Sequence, residues 1–489
     1  MDTLLALLPA WSVWSVWSGW MSAGWLAAAL LQAVYVVMQR RSPVATLGWI
    51  ITLTMLPALG LAVYWWFGPQ RAKRQRLRRL HGRAALGTQA EVQALLAEHG
   101  HAPDAYRHHV RLIEATCGIP PSTAERVQLL QNGVAKLASL LEAIAQARHH
   151  VHLEYYIYEP DEIGTRLRDA LLERLRAGVT VRLLVDAVGS PKLASRRGRA
   201  FLQEFLALGG QFAVFHPARM DRLRPLVNLR SHRKIAVCDG RIGFLGGINI
   251  TRDENEEVCD QAYRDTHVRL EGPAVRWLQY VFLEDWVYAR GPAERKLLEN
   301  DLIVEGPPGR IAVQLLASGP DTGGEAIHRS MIDAITNARR RVWLATPYFV
   351  PTEPALYALI DAALGGVDVR LLVPRRADSR LVTSAMRSYY DELLKAGVKV
   401  CEYLPCMMHA KTLVVDDGYA QVGSANYDHR SFRLNFEVAV ALFDAGLNAE
   451  LAAAFERDQA QSRAARPSGR LPWHVRLEQA VARLFSPLL

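Results

Sequence analysis

Ser231 to Asn249 reads SHRKIAVCDGRIGFLGGIN, and a second copy of its pattern, HAKTLVVDDGYAQVGSAN, runs from His409 to Asn426. Each copy has a histidine, a lysine two residues on, an aspartate seven residues on and an asparagine after a turn of small residues. One His-x-Lys alone would be weak evidence for a functional site, because that pairing is common in ordinary strands. The agreement of two copies indicates one site assembled from both.

The spacing inside each copy predicts a β-hairpin. Apolar runs at 235–237 and 412–415 lie between the histidine and an Asp-Gly pair, at 239–240 and 417–418. A short apolar run closed by Asp-Gly is typical of a buried strand, a tight turn and a second strand. The motif aspartates complete the pattern and are counted among the catalytic residues, although their place at a hairpin corner favours stabilisation of the turn; they are Asp239 and Asp416.

The histidine and lysine of each copy are expected to share a pocket, because residues two apart on a strand lie on one face. His232 with Lys234, and His409 with Lys411, would place an imidazole beside an ammonium, which suits a phosphate. Small residues in the turn let the backbone approach a ligand, and an asparagine amide can donate to a phosphoryl oxygen. The predicted substrate-binding residues are Asn249 and Asn426.

The chain also repeats on a larger scale. The pattern of residues 143–153 recurs at 334–344, and Val-Arg-Leu-Leu-Val at 181–185 recurs at 369–373. In each copy strands alternate with amphipathic helices, which predicts an α/β fold. Two such α/β sandwich repeats, facing one another, would bring the two motif histidines together. The Pro-Gly-rich segment 305–309 is the expected joint.

The N-terminal region is the most apolar part of the chain. Residues 20–38 and 44–67 contain no charged side chain, and each is long enough to cross a hydrocarbon core of about 30 Å. Seven basic residues at 71–83, against two in the turn at 40–43, place the downstream chain on the cytoplasmic side. We predict a transmembrane helical hairpin, with a re-entrant hairpin as the alternative.

Five regions follow from these patterns. They are a membrane region (1–70), a basic connector (71–130), a first repeat (131–304), a second repeat (305–465) and an amphipathic C-terminal helix (466–489). That last helix is expected either to lie on a membrane surface or to pack on the core.

Composition restricts the partners and cofactors. A formal net charge of +9 favours an anionic partner, such as nucleic acid, acidic lipid or a phosphorylated substrate. The five cysteines are odd in number and include no Cys-x-x-Cys, so neither a disulfide framework nor a zinc site is indicated. No acidic cluster suits magnesium either, and we expect no metal and no cofactor.

The doubled pattern resembles the phospholipase D superfamily, whose members carry two His-Lys-Asp motifs. Together with the predicted membrane hairpin, it is similar to the bacterial cardiolipin synthases. Short stretches along the chain resemble that family as well, including TLGW, YWWFG, NLRSHRK, SGPD and the ending FSPLL. The acidic run TRDENEE at 251–257 departs from the tyrosine-containing segment expected there, which leaves the local substrate contacts open.

The resemblance implies residue roles. His232 would be the nucleophile and His409 the acid and base, although the sequence alone does not order them. A downstream acid would fix the orientation of a catalytic imidazole, a role carried to Glu437 and to Asp265. Lys234 and Lys411, with the motif asparagines, would hold the phosphoryl oxygens.

The resemblance also implies a reaction and a cellular location. One phosphatidylglycerol would give up glycerol to form a phosphohistidine enzyme, and the hydroxyl of a second would attack it to form cardiolipin. The partners would be phosphatidylglycerol and other anionic lipids, not nucleic acid, and the location the inner (cytoplasmic) membrane of a bacterium. The basic loop before the first motif suits two anionic lipids.

Several alternatives remain open from the sequence. A membrane-bound phospholipase D would hydrolyse the same lipids to phosphatidic acid, and a related synthase would take phosphatidylethanolamine as donor. A nuclease would use the positive charge but would not need membrane helices. A lipid-binding scaffold would tolerate loss of the motif histidines. Acyl-chain preference and oligomeric state are not determined by the sequence.

Overall fold

The computed structural model describes residues 25, 27–39, 43–55, 64, 100, 103–216, 229–291, 294, 302–304, 308–321, 324–467, 469 and 471–489. The chain divides into two compact units, Met1–Arg74 and Gln75–Leu489. In the first unit, residues 27–37 are helical and helix α1 spans Pro43–Met55. Within the described part of the chain, no helix combines the length and the apolar character needed to span a membrane. The predicted transmembrane hairpin, much of which lies outside the described residues, therefore stays a prediction.

The second unit contains nineteen described strands. In chain order they are β1 (Ser122–Ala124), β2 (Arg126–Gln131), β3 (His150–Tyr155), β4 (Thr180–Asp186), β5 (Gln211–Phe215), β6 (Arg230–Ser231), β7 (Lys234–Cys238), β8 (Ile242–Gly246), β9 (Thr266–Glu271), β10 (Ile311–Ser318), β11 (Arg341–Ala345), β12 (Phe349–Val350), β13 (Asp368–Pro374), β14 (Lys399–Tyr403), β15 (Thr412–Val415), β16 (Tyr419–Gly423), β17 (Tyr427–Asp428), β18 (Asn435–Leu442) and β19 (Ser462–Ala464).

The α-helices of this unit alternate with its strands. They are α2 (Arg107–Cys117), α3 (Asn132–Gln146), α4 (Glu162–Arg176), α5 (Arg196–Phe201), α6 (Gln203–Ala207), α7 (Val275–Arg290), α8 (Ala326–Thr336), α9 (Glu353–Leu364), α10 (Arg380–Arg387), α11 (Tyr390–Lys395), α12 (His429–Arg433), α13 (Ala445–Ala460) and α14 (Trp473–Leu484).

Local sequence explains where these helices begin and which face they bury. Asp161 caps α4, since its carboxylate accepts from the backbone N–H groups of Ile163 and Gly164, both at 3.0 Å. Apolar residues four apart then form one stripe that is buried against the first sheet, namely Leu167, Leu171 and Leu175.

Two sheets of the same plan hold the two motifs. The seven-stranded sheet has the order β2-β9-β8-β7-β3-β4-β5, and the ten-stranded sheet contains the matching order β10-β18-β16-β15-β11-β13-β14, with β1 and β19 at its ends. In both sheets three neighbouring strands run parallel and the motif hairpin pairs antiparallel beside them. The predicted α/β fold with an internal repeat is confirmed.

The two sheets face each other across one apolar core. This core contains side chains of both sheets together with those of α7 and α13, including Leu245, Val268, Trp286, Val422, Val438 and Phe455. Separate cores cover the outer faces, one with α3 and α4 on the first sheet and one with α8 and α9 on the second. Each sheet is therefore covered by helices on both faces, and α7 and α13 contribute to the core that the two sheets share.

Short backbone pairings connect the repeats close to each motif histidine. Strand β6, which immediately precedes His232, pairs in parallel with the start of β18, and the N–H of His232 donates to the carbonyl of Phe436 at 2.9 Å. In the same way the N–H of His409 donates to the carbonyl of Arg264 at 2.7 Å, beside a bridge between Arg264 and Met408. Each histidine is therefore fixed to the opposite repeat.

Candidate active site

Both motif histidines line one cavity of about 480 Å³ between the repeats. The prediction that the repeats bring His232 and His409 together is confirmed. An aromatic ring lies beside each imidazole: Tyr156 packs edge-on to His232 with ring centres 5.0 Å apart, and Tyr263 lies 5.4 Å from His409. The cavity therefore presents two imidazoles in a shared, partly apolar space.

The two acids that the sequence pointed to are bonded to these histidines, and they cross between repeats. His232 Nδ1 lies 3.0 Å from both carboxylate oxygens of Glu437, and His409 Nδ1 lies 2.6 Å from Asp265 Oδ2. The crossing follows from the backbone pairings, because Glu437 comes directly after Phe436 and Asp265 directly after Arg264. With Nδ1 engaged in this way, Nε2 of each ring is left for a reacting phosphorus or proton.

Burial and charge set the ionisation of this group. Burial lowers the pKa of His232 to about 4. Burial alone would raise the pKa of Asp265, but the adjacent charge of Lys411 and the bond to His409 outweigh it and lower that pKa to about 2. Burial acts on Glu437 in the same way, and contact with His232 nevertheless lowers its pKa. Both orienting acids are therefore ionised at neutral pH.

The motif lysines lie behind the histidines and are not among the residues that line the cavity. Lys234 Nζ donates to the carbonyl of His232 at 2.7 Å, and Lys411 Nζ donates to the carbonyl of His409. Lys411 Nζ is also 3.4 Å from Asp265 Oδ2. Burial lowers the pKa of Lys234 to about 7 and lowers that of Lys411 as well. They hold the histidine backbone in place, and Lys411 also pairs with the carboxylate of Asp265.

Both motif asparagines, which the sequence predicted to bind substrate, line the cavity. Asn249 Nδ2 donates to Glu254 Oε1 at 2.6 Å, and its Oδ1 accepts from the N–H of Ile157 at 3.1 Å. The backbone N–H of Asn426 donates to Ser431 Oγ at 3.0 Å. These bonds fix the amide of Asn249 and the backbone of Asn426, and the Asn249 amide has a second N–H to offer a ligand.

The motif aspartates are not brought to the histidines. Asp239 accepts from the backbone N–H groups of three consecutive residues, Arg148, His149 and His150, at 2.7 to 2.8 Å. Asp416 does the same for residues 339–341 of the second repeat. Both have positive φ, 54° and 47°, and neither lines the cavity. The structure thus corrects their inclusion among the catalytic residues and supports the turn role.

The turn residues also differ from their predicted use. The sequence suggested that Gly247 and Ser424 let the backbone approach a ligand. Gly247 instead lies against an acid, since a Cβ there would be 2.2 Å from Asp265 Oδ1. At the equivalent position, Ser424 Oγ donates to Glu437 Oε2 at 2.5 Å. Both positions support the carboxylates that orient the imidazoles.

Other cavity residues were missed by sequence reasoning. Glu254 lies in the acidic run that departs from the family pattern, and its carboxylate also accepts from the N–H of Asn249 at 2.7 Å. Asp428 lies on the cavity wall, and burial raises its pKa to about 6. Their position in the sequence was the one signal that could have identified such residues. Glu254 follows Asn249 by five residues and Ser431 follows Asn426 by five residues, and each bonds to that asparagine.

Within the described ranges, one group has the spacing of metal ligands: Glu254, Asp265 and His409, whose ligand atoms lie within 4.8 Å of one another. Its carboxylates already accept N–H groups, and the ammonium of Lys411 lies 3.4 Å from Asp265. A hydrogen-bond network accounts for this group without a cation.

Comparison with known proteins gives the family. The model of the cardiolipin synthase, PLD-like domain, matches residues 140–286 and 331–459. A cardiolipin synthase of Geobacillus kaustophilus is 40% identical over 477 residues, which cover 94% of this chain and 91% of the relative. Cardiolipin synthase 2 of Bacillus anthracis is 37% identical over 476 residues, with 94% and 90% coverage.

A solved structure shows the same fold. The phosphatidylserine synthase of Haemophilus influenzae superposes with a TM-score of 0.60 at 14% identity, covering 78% of this chain and 100% of that one. The resemblance inferred from the doubled motif is confirmed by the sequence relatives. The chain belongs to the cardiolipin synthases built on phospholipase D-like domains.

Proposed function

We propose that this protein transfers a phosphatidyl group from one phosphatidylglycerol to another, forming cardiolipin and free glycerol. The observation that carries the proposal is the pair of imidazoles in one cavity, each bonded through Nδ1 to an ionised acid of the opposite repeat. Two such imidazoles can divide one displacement at phosphorus into two, with a covalent intermediate between them.

In the first step His232 attacks phosphorus through Nε2. Its low pKa, caused by burial, keeps it neutral at physiological pH, so the lone pair on Nε2 is available. Glu437 accepts the N–H at Nδ1 and stabilises the positive charge that develops on the ring. The bond between phosphorus and the glycerol oxygen breaks, and His409 donates its proton to that oxygen. The carboxylate of Asp265, bonded to Nδ1, holds the His409 ring in place for this transfer.

In the second step the same groups work in reverse. The now neutral His409 removes the proton from the terminal hydroxyl of a second phosphatidylglycerol, and that oxygen attacks the phosphohistidine. The bond from nitrogen to phosphorus breaks, which returns His232 to its neutral form. Asn249 and Asn426 offer N–H groups to the phosphoryl oxygens, while the buried lysines stabilise negative charge from behind.

The protein is proposed to act at the inner membrane of a bacterium, with its second unit on the cytoplasmic side. Apolar side chains exposed on residues 27–38 and on α1 support this placement, among them Leu30, Leu31, Met38, Leu47, Ile51 and Met55. Large exposed apolar surfaces of this kind are typical of contact with lipid. The basic residues at 71–83 give the orientation.

Turnover of the purified full chain tests the reaction. With phosphatidylglycerol as the only phospholipid and EDTA present, we expect cardiolipin and glycerol in equal amounts. Both should disappear in His232→Ala and in His409→Ala, and should persist in His108→Ala, which removes an exposed imidazole. Phosphatidic acid in place of cardiolipin would mean that water is the acceptor. Loss of turnover in EDTA that magnesium restores would contradict the mechanism.

A further inference from the structure

Helix α14 packs on the protein through its polar face. Glu478 Oε1 and Oε2 accept from Arg380 of α10 at 2.9 and 2.8 Å, and Ser384 Oγ donates to Glu478 Oε1 at 2.8 Å. Gln479 and Ala482 are the buried residues of α14, and Arg483 donates to Glu392 at 2.5 Å. This is the reverse of the usual arrangement, in which an amphipathic helix buries its apolar stripe.

The apolar face of α14 is turned outward. Trp473 is 74% exposed and Leu484 is 78% exposed, and Leu477 and Val481 lie on the same side of the helix. Exposed ion pairs contribute little to stability in water. Burying these apolar side chains would instead contribute a substantial favourable free energy, which is lost while they stay in contact with water. The helix is therefore suited to an apolar neighbour on its outer side.

This outward face continues to the active-site cavity. The turn Ser486–Leu488 follows α14, and Leu488 and Leu489 both line the cavity that holds the two histidines. Tyr389 Oη donates to Ser486 Oγ at 2.9 Å, and the N–H of Arg430 donates to the carbonyl of Leu489 at 3.0 Å, so the segment is fixed to the cavity wall. Leu488 lines the cavity and is exposed at the same time.

The cavity mouth has an apolar residue from the first repeat as well. Val188, in the segment after β4, lines the cavity and is exposed. We call these exposed apolar residues of α14 and of the cavity mouth the apolar rim; they are Val188, Trp473, Leu477, Val481, Leu484 and Leu488.

We propose that the apolar rim lies in the membrane interface and that the acyl chains of a phospholipid pass along it as the headgroup enters the cavity. This inference rests on the proposed function, which requires two diacyl lipids to reach the same phosphorus-binding site. Interfacial helices present Trp and Leu to the acyl boundary in this way, with basic residues beside them; here Arg476 is such an exposed basic residue. A lipid surface therefore fits both the chemistry of the rim and its position.

Turnover on two forms of the substrate tests the rim. The full chain would be assayed on phosphatidylglycerol vesicles and on dihexanoyl-phosphatidylglycerol kept below its critical micelle concentration. The double variant Leu477→Ser/Leu484→Ser should lower turnover on vesicles by about tenfold and leave turnover on the monomeric lipid within about twofold. Leu364→Ser, which changes a leucine 68% exposed at the end of α9, is the matched control and should alter neither rate.

Two outcomes of the turnover assay would contradict the proposal that the apolar rim lies in the membrane interface. One is unchanged turnover on vesicles, and the other is an equal loss on both substrates, which would assign the leucines to folding or to the chemistry. Failure of the unmodified protein to form cardiolipin from either substrate would instead contradict the proposed function.

A second measurement does not depend on catalysis. Vesicles whose acyl chains carry bromine quench tryptophans that lie in the bilayer. The amount of tryptophan fluorescence that the brominated lipid quenches should be smaller in Trp473→Phe, because this variant lacks one indole that lies in the interface. An equal amount of quenched fluorescence in both proteins would contradict the proposed contact with lipid.

Discussion

The Nδ1 atom of His232 lies 3.0 Å from both carboxylate oxygens of Glu437, which belongs to the other repeat. The second histidine is held in the same crossed manner, by Asp265 of the first repeat. Neither repeat therefore contains a complete imidazole-carboxylate pair. One active site per chain follows, and it forms only when both halves are folded against each other.

Replacing Glu437 by glutamine tests this crossed pair. The amide keeps the size of the side chain but loses the charge that stabilises the developing imidazolium, so kcat should fall by about 10³-fold. Glu456→Gln, at an exposed position on α13, is the control and should keep full turnover. A loss below about tenfold in Glu437→Gln would mean that the carboxylate does not support the reacting histidine.

A phosphatidyl donor whose leaving group is p-nitrophenol shows which histidine is the nucleophile and which is the acid and base. Such a group departs without a proton, so His409→Ala should still form the phosphohistidine and release one equivalent of nitrophenol. It should then stall, because no base activates the acceptor. His232→Ala should release none. A burst in His232→Ala together with its absence in His409→Ala would reverse the two assignments.

The pH dependence of kcat/KM follows from the pKa of His232. An ordinary imidazole takes up its proton near pH 6.5, but burial lowers the pKa of His232 to about 4 in the folded protein. The neutral nucleophile therefore persists on acidification, and kcat/KM on a monomeric short-chain donor should fall only as the pH approaches 4. An acidic limb centred near 6.5 would contradict this ionisation.

The same shift acts on stability. Between pH 6.5 and about 4 the unfolded chain binds a proton at His232 that the folded chain does not, so the contribution of this histidine to the free energy of unfolding declines as the pH falls through that window. Circular dichroism at each pH would separate loss of fold from loss of turnover.

Much of this architecture is predictable from sequence because it is local. The apolar run before each Asp-Gly pair predicts a hairpin, and strands alternating with helices predict the repeated sheet. The crossing of the acids is not local. Glu437 meets His232 across 205 residues of chain, and the pairing of β6 with β18 brings this acid to this imidazole.

The lysines and the buried glutamate show the same limit. Sharing a strand face with a histidine suggested that Lys234 would contact phosphate, but its Nζ turns back to the carbonyl of His232. Glu254 lies in the acidic run that departs from the family pattern and had no predicted role, yet it is buried and bonded to Asn249. In both cases a hydrogen bond formed only in the folded chain overrides the local pattern.

The motif aspartates should affect stability and leave the chemistry intact. Asp416→Ala removes the acceptor of three backbone N–H groups in the second repeat, which should lower the free energy of unfolding by about 2 kcal/mol. The adjacent Asp417→Ala, at an exposed position, should cost less than about 1 kcal/mol. Thermal unfolding measures both. A loss of kcat in folded Asp416→Ala would return this aspartate to the catalytic residues.

Gly247 should be required for the position of Asp265. A Cβ added there would lie 2.2 Å from Oδ1 and 2.3 Å from Oδ2 of that carboxylate, whose Oδ1 also accepts from the N–H of Thr266 at 2.7 Å. Because Thr266 holds one carboxylate oxygen and His409 holds the other, any shift of Asp265 that relieves the overlap disturbs its bond to His409 or to Thr266. Gly247→Ala should therefore lower kcat by about 10²-fold, and Gly469→Ala, which meets no atom within 4 Å, is the matched control.

A double-mutant cycle distinguishes this positioning role from general damage. If Gly247→Ala acts by displacing the Asp265 carboxylate, then combining it with Asp265→Asn should lower kcat little beyond Asp265→Asn alone, since both changes remove one interaction with His409. Independent damage would instead multiply the two losses. Ser424→Ala gives the parallel test in the second repeat, where a hydroxyl supports Glu437, and it should be non-additive with Glu437→Gln for the same reason. Additive losses in both cycles would show that these turn positions act on the fold and not through the acids that orient the histidines.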